Sequence, residues 1–304
     1  MSQPVLAVVG PSASGKSEFA LRICEHVGGE IVSADSVQIY RRFDIGSAKP
    51  SLAERAQVPH HLIDELDALD TADAARFVQL AAARIAEIQA RGKRPVLCGG
   101  TFLWLRALAY GLVPAPPADA GIRARHREEA ERLGRPALHA RLAQIDPESH
   151  ARLAPNDLVR VSRALEVHEL SGRSLSALQS EHGFRTARLP LRLLGIAHER
   201  AQLHERISSR IAGMFAQGWL DEVRGLLRDG YGEARALRSV GYRQVAEALL
   251  TQTVLDLPAL REQVAQATRQ FVRRQLTWLR DAGVEWLEPA KLDAFCRGLS
   301  EIPQ

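Results

Sequence analysis

The stretch GPSASGKS places Gly10, Gly15, Lys16 and Ser17 at the spacing G-x-x-x-x-G-K-[ST]. Glycines so placed let the backbone curl until successive N–H groups point inward at an anion. Lys16 adds a compact positive charge, Ser17 offers a hydroxyl to Mg2+, and a helix starting there presents its positive end. The chemistry is phosphate binding, with Gly10, Pro11, Ser12, Ala13, Ser14, Gly15, Lys16 and Ser17 as the cradle. An NTPase with such a loop should also end a strand in a carboxylate that holds the Mg2+ shell, and a GTPase should carry N-K-x-D. Neither is found: the run PVLCGG ends in glycines and Thr101, and no N-K-x-D occurs. The carboxylate that does end an apolar run is Asp35, in SADSVQIY. It fits three roles: a base beside the phosphate loop, a helix N-cap, or a Mg2+ ligand.

These residues need elements to hold them. PVLAVVG is a continuous apolar run, as in a strand buried on both faces of a parallel sheet. KSEFALRICEHV reads as a helix with Phe19, Ile23 and Cys24 on one side, GEIVSAD as a strand ending at Asp35, and TADAARFVQLAAARIAEIQARG as a helix closed by Gly92. RPVLCGGT is a third strand, so strand and helix alternate as in a doubly wound α/β sheet. VPAPPAD then marks a hinge, and helical patterns without a convincing strand follow to residue 182. A strand-like LPLRLLGIA returns at 189–197, and the rest is helical but for a short VEWL strand. The expected architecture is a P-loop α/β core of residues 1–114 and 188–304 interrupted by a helical insertion domain, 115–187.

Composition narrows the class. No apolar run approaches the roughly 18 residues that cross a bilayer, and the first residues read as a strand rather than a signal peptide. Cys24, Cys98 and Cys296 are far apart and lack metal-ligand spacing, which suits a reduced cytoplasmic protein. The net charge of +4 and pI near 9.2 suit a polyanionic partner. Arginine greatly outnumbers lysine, as a G+C-rich gene would also give, so charge alone does not assign that partner. Only Lys16, Lys49, Lys93 and Lys291 are lysines, and two of them fall within motifs.

Those motifs are GPSASGKS, SADSVQIYRRFDIGSAKP, HHLID, GGTFLWLRAL, PNDLVRVSRALEV, SVGYRQV and RRQLTWLR, in this order. The chain closely resembles the bacterial tRNA dimethylallyltransferases, the tRNA isopentenyltransferase family, over nearly its whole length. Ser12 and Ser47 stand where the family usually has Thr, Trp104 replaces a Tyr, and TADAARF lacks a usual Tyr-Ser. The resemblance implies that the loop holds the diphosphate of dimethylallyl diphosphate rather than ATP. The dimethylallyl group then moves to N6 of the adenosine 3′-adjacent to the anticodon, and diphosphate leaves. By motif match Asp35 is the general base, Thr101 steadies the leaving diphosphate, and Arg123 is linked to catalysis. Arg206 and, more weakly, Arg210 reach the diphosphate, with Mg2+ on Ser17.

The resemblance also implies contacts with the anticodon stem-loop of tRNA. They fall on Asp35, Ser36, Val37 and Gln38, and on the helix carrying Val159, Arg160, Val161, Ser162 and Arg163. They continue through Ser239, Val240, Gly241, Tyr242, Arg243 and Gln244, and through Val272, Arg273, Arg274, Gln275, Leu276, Thr277, Trp278 and Leu279. Arg160 and Arg163 share a helix face, as do Arg269 and Arg273, while Phe271 and Trp278 are expected to face the core. A cytoplasmic monomer without membrane contact is expected. Competing readings are a free adenine-nucleotide isopentenyltransferase, a small P-loop kinase, or a non-catalytic RNA-binding P-loop switch. A free-nucleotide enzyme has little use for the insertion, and a kinase needs an adenine site that the sequence does not display.

Overall fold

A computed structural model describes residues 3–300. The chain divides into two compact units, one running to Ala109 and resuming at Arg188, the other Tyr110–Ala187. In the first, β1 (Val5–Val9), β2 (Gly29–Ser33), β3 (His60–His61), β4 (Arg94–Gly99), β5 (Leu191–Ile196) and β6 (Glu285–Leu287) form one parallel sheet. Its order is β3-β2-β4-β1-β5-β6. The helices of the described chain are α1 (Lys16–Val27), α2 (Leu52–Gln57), α3 (Ala74–Ala90), α4 (Phe102–Tyr110), α5 (Ala120–Leu133), α6 (Arg135–Ile145) and α7 (Pro147–Arg152). They continue with α8 (Leu158–Ser171), α9 (Leu175–His182), α10 (Arg200–Ala216), α11 (Trp219–Arg228), α12 (Tyr242–Thr251), α13 (Leu257–Leu279) and α14 (Leu292–Ser300).

The period-2 alternation of the strands sorts their side chains into two cores. Val8, Ile31, Val96 and Leu194 pack with Phe19 and Ile23 of α1 and with Leu292 and Cys296 of α14. Ala7, Val9, Val32 and Leu97 face the other way, onto Phe77, Leu105, Ile207, Val245 and Val264. Helices thus cover both faces, which is why the strands read as unbroken apolar runs. Truncating a fully buried side chain such as Leu97 to Ala would cost about 2–5 kcal/mol.

Local chemistry explains where the strands stop. β2 ends at Ser33, short of the expected Asp35, because Asp35 Oδ1 accepts the N–H groups of Val37 (2.8 Å) and Gln38 (3.2 Å) and turns the chain. β3 gives no sequence signal, since two residues show no periodicity. One expectation is corrected on α13. Its core stripe is Leu260, Val264, Val272, Gln275 and Leu279, and it leaves Trp278 exposed with its ring 6.1 Å from that of Phe102. Phe271 is half-buried at the stripe's edge.

The second unit is helical, α5 to α9, around Ala130, Leu138, Leu142, Val161, Ala164 and Leu165. Four of its five helix starts are capped by side chains, Asp119 on Ile122 N, Asp146 on Ser149 N, Asp157 on Arg160 N and Ser174 on Ala177 N, while α6 starts at Gly134 without one.

Candidate active site

The phosphate loop leaves β1, the strand flanked by β4 and β5, at the carboxyl ends of the strands. Ala13 and Gly15 both take left-handed φ, 65° and 87°, which folds the backbone into the cradle. At Gly10 a Cβ would stand 2.7 Å from Ser14 Oγ, so any larger residue there would displace the buried Ser14 hydroxyl. The outer carbonyls are held from elsewhere in the first unit. Arg206 Nε donates to Ala13 O (2.8 Å) and His198 Nε2 to Ser14 O (2.8 Å). Gln275 Oε1 accepts from Ser12 N (3.0 Å) while its Nε2 donates to Gly100 O (3.2 Å), tying the loop to the end of β4.

Across a cavity of about 420 Å³, Lys16, Ser17, Asp35, Thr101, Arg210 and Tyr242 face one space. Lys16 Nζ donates only weakly, to Pro11 O at 3.4 Å. Burial first, then the like charge of Arg210, holds the Lys16 ammonium below its ordinary value, with Cys98 and Asp35 acting the other way. Burial likewise lowers the Arg210 guanidinium, against the pull of Asp35. Two desolvated cations beside a single carboxylate make a site that favours a multiply charged anion, because the anion relieves their repulsion. Asp35 Oδ1 is committed to its turn, and Oδ2 has no hydrogen-bond partner among the described residues. Cys98 beneath the loop donates to Lys16 O (3.7 Å), and burial pushes its thiol up to about 11, so it stays a neutral packing group. A second recess of about 820 Å³ shares Ser17, Gln38, Cys98 and Arg210 with the cavity and extends to Lys49. The Lys49 ammonium there pairs with Asp44 and with Asp64 (2.5 and 2.6 Å).

The residues expected to meet nucleic acid divide by burial. Ser36, Val159, Arg160, Arg243, Arg273, Arg274, Leu276, Thr277 and Trp278 are exposed; Val37, Gln38, Ser239 and Val240 are half-buried. Val161, Ser162, Gly241, Tyr242, Gln244, Val272, Gln275 and Leu279 are buried and serve as supports. Gln244 Oε1 accepts Gly241 N (2.8 Å) at the start of α12, and Ser162 Oγ bonds the buried His126 ring (2.9 Å). Arg163 donates to Glu166 (2.6 Å) and to Pro116 O (2.7 Å). Within the second unit Arg123 forms a two-pronged pair with the buried Glu166, Nε to Oε1 at 2.9 Å and Nη2 to Oε2 at 3.0 Å.

Sequence reasoning missed His198 and Glu222. His198 follows β5 without a motif of its own. The Glu222 carboxylate accepts three consecutive loop amides, a partnership across 176–178 positions of sequence that no local pattern announces. As for a metal, the described residues hold no group of three or more His, Cys, Asp or Glu. The Ser17 hydroxyl fits Mg2+ in its usual mode, with few protein ligands and the remaining positions left to phosphate oxygens and water.

A phosphate loop on a central parallel strand, facing a carboxylate and a hydroxyl from the next two strand ends, defines a P-loop-type group-transfer fold. The family model described as IPP transferase matches residues 38–282. A tRNA dimethylallyltransferase from Sorangium cellulosum is 60% identical over 93% of this chain and 90% of its own length. One from Geobacter sulfurreducens is 47% identical over 96% and 94%. The crystal structure of the tRNA isopentenylpyrophosphate transferase from Bacillus halodurans superposes with a TM-score of 0.71 at 32% identity, over 98% of this chain and 96% of that one. A eukaryotic dimethylallyltransferase, 23% identical, shares the fold with a TM-score of 0.81 over 98% of this chain and 78% of its own. The chain belongs to the IPP transferase family, that of the bacterial tRNA dimethylallyltransferases.

Proposed function

We propose that this protein transfers the dimethylallyl group of dimethylallyl diphosphate to N6 of the adenosine 3′-adjacent to the anticodon in tRNA. The observation that carries the reading is the convergence of Lys16, Arg210, Thr101 and Asp35 on one cavity. In the transfer the allylic C–O bond breaks, its electron pair stays on diphosphate, the N6–C bond forms, and N6 loses a proton. The leaving diphosphate carries about three negative charges, which the loop amides, Lys16 and Arg210 neutralise as the bond breaks. Thr101 donates its hydroxyl toward the bridging oxygen, Arg206 is a further cation for the same group, and Arg123 is linked to catalysis by its family motif. Adenine N6 is a weak nucleophile because its lone pair is delocalised. The free Oδ2 of Asp35 takes the proton, help typically worth about 10²–10⁴ in rate.

Mg2+ held by Ser17 would supply further charge neutralisation on the diphosphate. Exposed Arg160, Arg243, Arg273 and Arg274 contact phosphates, Trp278 stacks on a splayed base, and Asp35 to Gln38 and Ser239 to Val240 line the pocket for the flipped adenine. The reading carries with it a cytoplasmic enzyme that acts as a monomer. No helix among the described residues is long and apolar enough to cross a membrane.

The test is incubation with labelled dimethylallyl diphosphate and either total tRNA or AMP. Label should enter tRNA and not AMP. Label in AMP alone, or brisk ATP hydrolysis, would replace the reading with a free-nucleotide transferase or a kinase.

A further inference from the structure

Glu222, on α11, touches the cavity residue Tyr242 but none of the groups proposed to meet the diphosphate or take the proton, and its carboxylate accepts four hydrogen bonds. Oε2 accepts Asp44 N (2.9 Å) and Ile45 N (2.6 Å); Oε1 accepts Gly46 N (3.2 Å) and the Tyr242 hydroxyl (2.6 Å). Three consecutive amides converging on one anion form a nest, the arrangement that elsewhere binds phosphate. Here an internal carboxylate fills it, and four donors meet four lone-pair positions. The loop it organises is closed on itself by Ser47 Oγ donating to Phe43 O (2.6 Å) and Lys49 N donating to Asp44 O (3.0 Å). What the loop presents to the cavity is the carbonyl of Ser47, which accepts Gln38 Nε2 (3.1 Å) and Arg210 Nη2 (3.5 Å). No other protein acceptor within the described residues orients Arg210.

We propose that Glu222 is a positioning residue for the transfer reaction: by seating in the nest of residues 44–46 it fixes the Ser47 carbonyl, and through it the guanidinium of Arg210 and the amide of Gln38. The same carboxylate holds Tyr242 at the start of α12, so the diphosphate side and the base side of the cavity are set by one group remote from the reacting atoms. Tyr242 suits this, since burial and the neighbouring carboxylate push its phenol far up and keep it a donor. The inference rests on the function proposed above.

The experiment compares Glu222→Gln, Glu222→Asp, Tyr242→Phe and Arg210→Lys in the full chain. It reads thermal midpoint, binding of inorganic pyrophosphate, and kcat and donor KM for labelling of tRNA. Glu222→Gln turns an NH2 toward N–H donors and opens the nest. It should lower kcat about 10- to 100-fold, raise donor KM, and weaken pyrophosphate about tenfold, while the protein stays folded. Glu222→Asp keeps the charge and should recover part of each loss, and Tyr242→Phe, which spares the nest, should cost less than Glu222→Gln. Arg210→Lys should cost less in the Glu222→Gln background than in wild type, because its placement is already lost. Wild-type values within twofold for Glu222→Gln, or losses that simply multiply with Arg210→Lys, would overturn the inference. Should Glu222→Gln fail to fold, unchanged pyrophosphate binding in a folded Glu222→Asp together with Tyr242→Phe costing as much would do the same. A wild-type protein that binds pyrophosphate but labels no tRNA would sink the proposed function instead, and the pyrophosphate series would still decide the role of Glu222.

Discussion

Thr101 Oγ1 accepts the backbone N–H of Ser36 at 3.1 Å. The bond joins the end of β4 to the turn after β2, strands already paired at Ser33 and Cys98. Because the Thr101 oxygen receives that proton, its own O–H is left to donate toward the cavity. The residue proposed to meet the leaving oxygen and the turn that holds the proposed base are therefore one unit. Thr101→Val should lower kcat by about 10-fold or more through both losses, whereas Thr101→Ser should retain most of it; equal kcat for Val and Ser would remove Thr101 from the chemistry.

Lys16→Ala should abolish transfer, since the leaving diphosphate loses its most central point charge. Wild-type protein should bind the prenyl donor with little competition from ATP. Tighter binding of ATP than of the donor would show that the loop serves another ligand.

The second unit is inserted at a point where the first closes on itself: Arg188 N and Leu189 N both donate to Ala109 O, at 2.7 and 3.1 Å. A short linker can therefore replace residues 110–187 without stretching the core. The shortened protein should keep donor binding and lose tRNA binding, measured by calorimetry and gel shift. Near-normal modification of tRNA by that protein would give the insertion a different purpose.

Glu166 sets an acid limit on the second unit. Burial alone would raise its carboxyl, but hydrogen bonds from Arg123, Arg163 and the Asp119 N–H outweigh burial and hold it below its ordinary 4.5. A carboxyl lowered on folding contributes stability that is full above its unfolded value and is lost as pH falls through the folded one. Glu166→Gln should cost about 2–3 kcal/mol at neutral pH, a modest figure because both arginines remain partly solvated. The difference from wild type in thermal midpoint should shrink as pH drops below 4.5. A gap that is constant with pH would mean that the pair contributes shape and not charge.

Much of this was legible in the chain because the relevant signals are local. The loop spacing, the unbroken apolar strands and the Pro-rich run before the insertion depend on neighbouring residues. The strand ends at Gly99 and near Asp35 follow from the same runs. What escaped depends on distant partners. Glu222 looks like an ordinary acidic residue in the first turn of an amphipathic helix until the loop 44–46 is folded against it. Gln275, expected at the nucleic-acid surface, turns inward to Ser12 and Gly100, because the core stripe of α13 runs through it. Trp278 lies seven positions from Phe271 and is expected to face the core with it, but the helical register leaves it on the rim beside Phe102.

In the proposed reaction the cavity holds a diphosphate at the loop and an adenine amine at Asp35. Steady-state transfer to tRNA by Asp35→Asn tests it most directly. The Asn side chain can keep the turn's hydrogen bonds through its carbonyl oxygen, so positioning survives and the proton acceptor is lost. The expected result is a fall in kcat of about 10² or more, with affinity for donor and tRNA little changed and no rescue by added Mg2+. A kcat near wild type at saturation, with weakened donor binding restored by Mg2+, would contradict it and make Asp35 a metal ligand.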